Sequence, residues 1–203
     1  MILSDREIWA AVNTGRLHIS PFEHDNLQPA SYDITIGDTY SSIAGNAYAR
    51  REGKNYEIIN SSLKTFNVIV PGEEVEYTSI QTSKFLLLPG QFVLANTQEY
   101  IKLDDKTTAF VEGRSSWGRL GLFIQSAGWV DPGFEGQITL QLFNASRFAI
   151  ELRTGLRIGQ LVFSKMNEPC CFPYQGKYQR QTGATGSKIN LDFKKVSVED
   201  VNE

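Results

Sequence analysis

The chain has 203 residues, with 20 Lys and Arg against 23 Asp and Glu and a formal net charge of -3. That length suits one domain with a sizeable core of its own, and the even scatter of charge argues against the basic face of a nucleic-acid binder. No apolar run approaches the roughly 18 residues that cross a bilayer, and residues 1–6 lack the basic start and apolar stretch of a signal peptide, so a cytoplasmic protein with no membrane attachment is expected.

In chain order, the first predicted element is a short helix. Ser4 suits its N-cap, Glu7 completes a capping box and Gly15 suits the stop. The histidines, His18 and His24, follow in a polar stretch and read as surface residues, and Gln28-Pro29-Ala30-Ser31-Tyr32-Asp33 comes next. Residues 45–65 are polar and weakly patterned, an expected excursion from the main body, and Glu73, Glu74 and Glu76 read as a solvated face. Beyond the helix almost every apolar run is short and bounded by turns: 66–70, 85–88, 92–95, 138–143 and 160–163. Pro71-Gly72, Pro89-Gly90 and Asp131-Pro132-Gly133 supply the turn chemistry. Such spacing indicates an all-β sandwich or barrel.

Two stretches carry candidate chemistry. Glu112-Gly113-Arg114-Ser115-Ser116-Trp117-Gly118-Arg119 sets two arginines around two hydroxyls and glycine. A triphosphate is bound by guanidinium forks, hydroxyl donors and close backbone approach, and this segment offers all three. A polar turn with surface arginines has the same composition. The second stretch, residues 126–141, reads as a hairpin-like unit with Asp131 at its turn. Cys170 and Cys171 are adjacent, so no framework of disulfides is possible and both are expected reduced. Glu168-Pro169-Cys170-Cys171 lacks the spacer of a zinc nucleobase deaminase, and no H-x-E accompanies it. Any deamination here is therefore expected without zinc. From Tyr174 onward the tail has no core-forming period until Ile189; it reads as a frayed terminus or, through the Lys177-to-Gln181 cluster, as a polyanion clamp.

Taken together, these segments resemble the ordered motifs of the dCTP deaminase/dUTPase superfamily, most closely the bifunctional, dUMP-forming deaminases. The first motif is matched at 28–33, the second at 112–119, the third at 126–141, the fourth at Arg157-Ile158-Gly159-Gln160-Leu161 and the C-terminal lid at 177–187. The resemblance implies one dUTPase-like domain over 1–203, a distorted jelly-roll-like β-barrel assembled as a homotrimer, with about residues 174–203 as an arm closing over nucleotide. It implies dCTP and dUTP as ligands, dTTP as a candidate inhibitor, and no nucleic-acid polymer. Mg²⁺ would be carried by the triphosphate and water, with Asp33 behind it. By the same resemblance Arg114, Ser115, Ser116, Trp117, Gly118 and Arg119 hold phosphates and shape the centre. Gln160, Tyr174, Lys177 and Gln181 are further triphosphate contacts. Phe134 packs on the deoxyribose, and Thr139, Leu140 and Gln141 read the base. Asp131 orients the water that attacks the α-phosphorus, and Ser115, Arg119 and the Ala127 carbonyl support the deamination step. Ala127-Gly128-Trp129 matches the dUMP-forming type, in which a small glycine follows the alanine.

One position departs from the family pattern. The catalytic glutamate of the deaminases falls on Gln141. A carboxamide keeps the shape and the hydrogen-bonding capacity but cannot act as a general base near neutral pH. Three readings follow: a variant that traps ligand, a member retaining only dUTP hydrolysis, or a nucleotide-binding protein without catalysis.

Overall fold

Capping chemistry sets the first element of the computed structural model, which describes residues 1–43, 48–52, 55–59, 74–125 and 128–193. The Glu7 carboxylate accepts from Ser4 N at 2.9 Å and Ser4 Oγ at 3.0 Å, fixing the start of α1 (Asp5–Asn13), and Gly15 at φ +72° turns the chain out of it. Ile8 and Ala11 are the buried side of the helix.

Strands dominate from there. The first six are β1 (Leu17–Ser20), β2 (Leu27–Gln28), β3 (Ser31–Ile43), β4 (Tyr48–Glu52), β5 (Asn55–Ile59) and β6 (Tyr77–Gln81). They continue with β7 (Lys84–Leu87), β8 (Phe92–Leu103), β9 (Thr107–Gly113), one helical turn α2 (Ser115–Gly118), β10 (Leu122–Gln125) and β11 (Trp129–Val130). The chain ends on β12 (Glu135–Asn144), β13 (Ile150–Arg153), β14 (Arg157–Lys165) and a second single turn, α3 (Asn190–Phe193). The expected strands at 85–88, 92–95, 138–143 and 160–163 fall in β7, β8, β12 and β14, whereas 66–70, Pro71-Gly72 and Glu73 lie outside the described residues.

Ten strands pair antiparallel in one sheet whose main path runs β10-β12-β8-β3-β14-β9-β11. The sheet curls into a half-barrel, and its two ends approach where a Cβ on Gly113 of β9 would lie 3.6 Å from Ile124 Cβ of β10. The curl encloses Ile34, Ile36, Ile101, Leu140, Leu142 and Phe163, all fully buried, with Tyr40 stacked on Phe85 at 4.3 Å. Each such side chain contributes about 1.5–3 kcal/mol of burial. The strands β4 and β5 pair only with each other, as an excursion from the sheet.

One expected local unit takes another form. Residues 126–141 are not a self-paired hairpin: β11 pairs with β9, while β12 lies between β10 and β8. The turn closed by Phe134 N on Asp131 O at 3.1 Å is therefore a crossover between the two ends of the curled sheet. Apolar alternation reports which face a strand buries, not which neighbour it takes.

Candidate active site

The site is built on the outer face of β12. Burial alternates along this strand, with Leu140 and Leu142 inward and Gln137, Thr139, Gln141 and Phe143 outward. Register carries the outer face across its neighbours, because directly opposed residues project to one side. Gln141 pairs with Leu94 on β8 and Gln125 on β10, and one step along Phe143 pairs with Phe92 and Phe123.

A cavity of about 470 Å³ opens on this face. Asp131, Phe134 and Gln141 line it, with Gly128 and Trp129 on the sheet side. Gly128 sits at φ +37°, and Trp129 packs edge-on against Phe110 at 4.8 Å. The tail roofs it with Tyr174, Tyr178, Gln181 and Thr185. Phe134 is buried, its ring 6.0 Å from that of Tyr174. Asp131 is exposed at the rim, and the Gln141 amide has no hydrogen-bond partner among the described residues.

The tail lies against this cavity, and its residues Tyr174, Tyr178, Gln181 and 185–187 border it. Tyr174 N donates to Pro132 O at 2.8 Å, and the Tyr174 hydroxyl accepts from Tyr178 N at 3.2 Å. Gly176 permits that turn, since a Cβ there would lie 2.5 Å from the Tyr174 ring. Lys177 and Gln181 each have a partner within the chain, and Gln181 also borders the cavity. The Lys177 ammonium pairs with Asp192, which raises its pKa, and Gln181 Nε2 donates to Gln137 O at 2.8 Å.

The arginine-serine segment lies elsewhere on the subunit. Arg114, Ser116 and Trp117 line a second, shallower cavity with Leu156 and Arg157, and none of them borders the first. Ser115, Gly118 and Arg119 are exposed. Behind them the buried Asp33 carboxylate faces Arg114 at 3.5 Å and Arg157 at 3.6 Å. Burial raises the Asp33 pKa and the two guanidinium groups oppose that shift. Both distances exceed the usual 2.7–2.9 Å or so of a charge-assisted hydrogen bond, and Asp33 Oδ2 makes no hydrogen bond. Gln160, opposite Asp33 on β14, accepts from Ser31 Oγ at 3.3 Å and belongs to this second group. Within one chain, then, Asp131, Phe134, Thr139, Gln141, Tyr174 and Gln181 border one cavity, Arg114, Ser116 and Trp117 border another, and the Leu140 side chain is buried away from both. Ala127 lies outside the described residues.

Sequence reasoning missed several participants. Arg157 stands within the fourth motif, and its partner Asp33 within the first, so their pairing had a signal there. Tyr77, Phe92 and Leu94 border the first cavity, but nothing in their local sequence set them apart.

The fold and the cavity define a mostly β protein whose curled, half-barrel sheet carries a pocket. Its likeness to the 2'-deoxycytidine 5'-triphosphate deaminase of Agrobacterium tumefaciens has a TM-score of 0.58 at 21% identity, over 82% of this chain and 48% of that one, so this chain spans about half its length. A family model described as dCTP deaminase-like matches residues 2–166. The chain is 45% identical to the dCTP deaminase, dUMP-forming, of Persephonella marina over 192 residues, 95% of this chain and 99% of the relative. Identity to the enzyme of the same name from Sulfurihydrogenibium sp. is 46% over 193 residues, with the same coverage. The chain belongs to the dCTP deaminase-like family.

Proposed function

We propose that this chain binds dCTP and dUTP and hydrolyses dUTP to dUMP and pyrophosphate, on a scaffold of the dUMP-forming deaminase type whose deamination half is disabled by Gln141. The observation that carries the reading is the convergence of Asp131, Phe134 and Gln141 on one tail-roofed cavity. The dUMP-forming names of relatives at 45–46% identity support it.

The chemistry follows from the side chains. Phe134 offers the sugar an apolar wall, so a 2'-hydroxyl would meet a clash or lose its hydrogen bonds. Asp131, at the rim, orients a water toward the α-phosphorus. The new bond forms from that water to phosphorus, the bond to the bridging oxygen breaks, and pyrophosphate leaves. Deamination instead needs an acceptor for the proton of a water attacking C4 and a donor to the departing ammonia. Gln141 supplies neither. The triphosphate would carry Mg²⁺, which when bound would supply charge screening of the phosphate oxygens. Asp33, buried between two arginines, orients those arginines rather than ligating the ion.

The separation of the two cavities supports a homotrimeric, composite site. Phe123, Phe143 and Phe92 form one register row, 52%, 37% and 42% exposed, directly beside the Gln141 row. Such a contiguous aromatic strip suits a second copy, whose Arg114–Arg119 segment would meet the phosphates. The reading places the enzyme in the cytoplasm, with its nucleotides, and allows dTTP to compete for the same pocket.

The test is a product assay with dUTP, dCTP and CTP in Mg²⁺. The expected result is dUMP and pyrophosphate from dUTP, little ammonia from dCTP, and weaker binding of CTP. Asp131→Asn should lower dUTP hydrolysis by about 10²-fold or more while nucleotide binding persists. Binding without any turnover of dUTP would favour the non-catalytic nucleotide binder, a reading that Gln141 also fits.

A further inference from the structure

The edge of β12 at residues 135–139 lies free of β10, which pairs only with residues 141–144. The tail occupies that edge. Gln137 N donates to Gln181 O at 2.9 Å, Arg180 N to Glu135 O at 2.6 Å, and Glu135 N to Gln179 Oε1 at 3.0 Å. Gly136 makes the approach possible: it sits at φ +150°, and a Cβ there would lie 2.9 Å from Gln181 O. Past Gln181 the tail leaves the edge and turns at Gly183 (φ +68°) onto the outer face.

At that turn one side chain holds the backbone. Gln137 Oε1 accepts from Gly183 N at 2.7 Å and from Asn96 Nδ2 at 3.3 Å. Asn96 is buried and fixed, its Oδ1 accepting from Thr39 N at 3.0 Å and its Nδ2 also donating to Thr97 O at 3.0 Å. Gln137 is therefore oriented from beneath, with its acceptor aimed at the tail. Beyond it, Ser41 Oγ donates to Ala184 O at 2.9 Å, and Thr139 Oγ1 accepts from Thr185 N at 3.2 Å. Residues 185–187 then border the first cavity.

We infer that Gln137 is a positioning residue for this enzyme: its Oε1 latches the tail at Gly183 and so sets how often the roof of the nucleotide cavity is closed. The latch makes no contact with the reacting atoms. Its link to catalysis rests on the nucleotide reading above, but the latch itself can be tested without nucleotide.

The experiment is limited trypsin cleavage of the tail at Lys177, Arg180 and Lys188, in the full chain without nucleotide, alongside the barrel's melting temperature. Loss of one net hydrogen bond raises the open population about five- to tenfold, and cleavage follows that population when closing is fast. Gln137→Ala should be cut faster by that factor at an unchanged melting temperature. Gln137→Glu keeps an acceptor for Gly183 N, loses only the long donation from Nε2 to Gln98 O at 3.4 Å, and should be cut clearly more slowly than Gln137→Ala. With dUTP, Gln137→Ala should raise KM by no more than about twofold, because the closed fraction stays near half or above, and leave kcat little changed. Parental cleavage rates in Gln137→Ala would overturn the latch, as would equal acceleration in both variants. If cleavage accelerates only in Gln137→Ala yet dUTP protects neither it nor the parent, the latch stands and the nucleotide reading falls.

Discussion

Replacing Gln141 by Glu isolates one proton acceptor in an otherwise unchanged site. The backbone at 141 is held between Leu94 and Gln125 in the middle of three paired strands, so the substitution moves no element. The amide has no hydrogen-bond partner among the described residues, so no donor or acceptor is stranded by the exchange. Stability should therefore stay within about 0.5 kcal/mol of the parent. The kinetic effect is of another size. A positioned general base contributes about 10²–10⁴-fold, or about 3–5 kcal/mol of barrier at roughly 1.4 kcal/mol per decade. The assay is ammonia release from dCTP with chromatographic identification of the nucleotide product, for the parent and Gln141→Glu in Mg²⁺. Deamination should rise by that 10²–10⁴-fold, with dUMP as product. Hydrolysis of dUTP should change by no more than about threefold, because Asp131 serves that water. If Gln141→Glu binds dCTP and releases no ammonia, position 141 is not the missing base and this chain is not a disabled deaminase.

Two further predictions concern assembly and pH. Phe143→Asp places a charge in the exposed aromatic row and should shift sedimentation from trimer to monomer with loss of nucleotide affinity; a parent that sediments as a monomer and binds nucleotide fully would refute the composite site. Burial raises the pKa of Glu99, although Thr35 N and Thr35 Oγ1 donate to its carboxylate. A carboxyl group raised in the fold contributes stability below its unfolded pKa, near about 4.5, and loses it as pH climbs through the folded value. The melting temperature of Glu99→Gln relative to the parent should therefore increase with pH above about 4.5 and then level off; a difference independent of pH would refute the burial argument.

Much of the fold was legible because apolar runs mark inward faces. The helix cap, the turns at Pro89-Gly90 and Asp131-Pro132-Gly133, and strands β7, β8, β12 and β14 all carry local signals. The strand β3 carries less, since Ser31, Asp33, Thr35, Ser41 and Ser42 are buried in it. A buried polar side chain looks like an outward one until its partner is known, and partners such as Glu99 for Thr35 lie 64 residues away. The same limit applies to the site. Asp131, Phe134 and Gln141 lie within one crossover and strand, so their convergence follows from local order. The fate of Lys177 depends on Asp192, and that of Gln181 on Gln137, neither of which its own neighbours announce.

The arrangement around Asp33 gives a physical reason for the divided site. One buried carboxylate faces two guanidinium groups, leaving the cluster with an excess positive charge. Arg157 also donates from Nη1 to Asp25 O at 3.1 Å, while Arg114 has no acidic partner but Asp33, and Arg119 has none, among the described residues. Such a cluster is oriented but unsaturated, which is the state that favours a polyanion over water. The first cavity is the reverse, with aromatic and aliphatic walls and a single carboxylate, Asp131, at its rim. A nucleoside triphosphate is itself apolar and polar at one end and strongly anionic at the other. Placing both surfaces in one cavity would set Asp131 among the arginines and tie up the carboxylate that must orient water. Under the proposed composite site, two copies would divide these surfaces and leave Asp131 unpaired until the α-phosphate arrives between them.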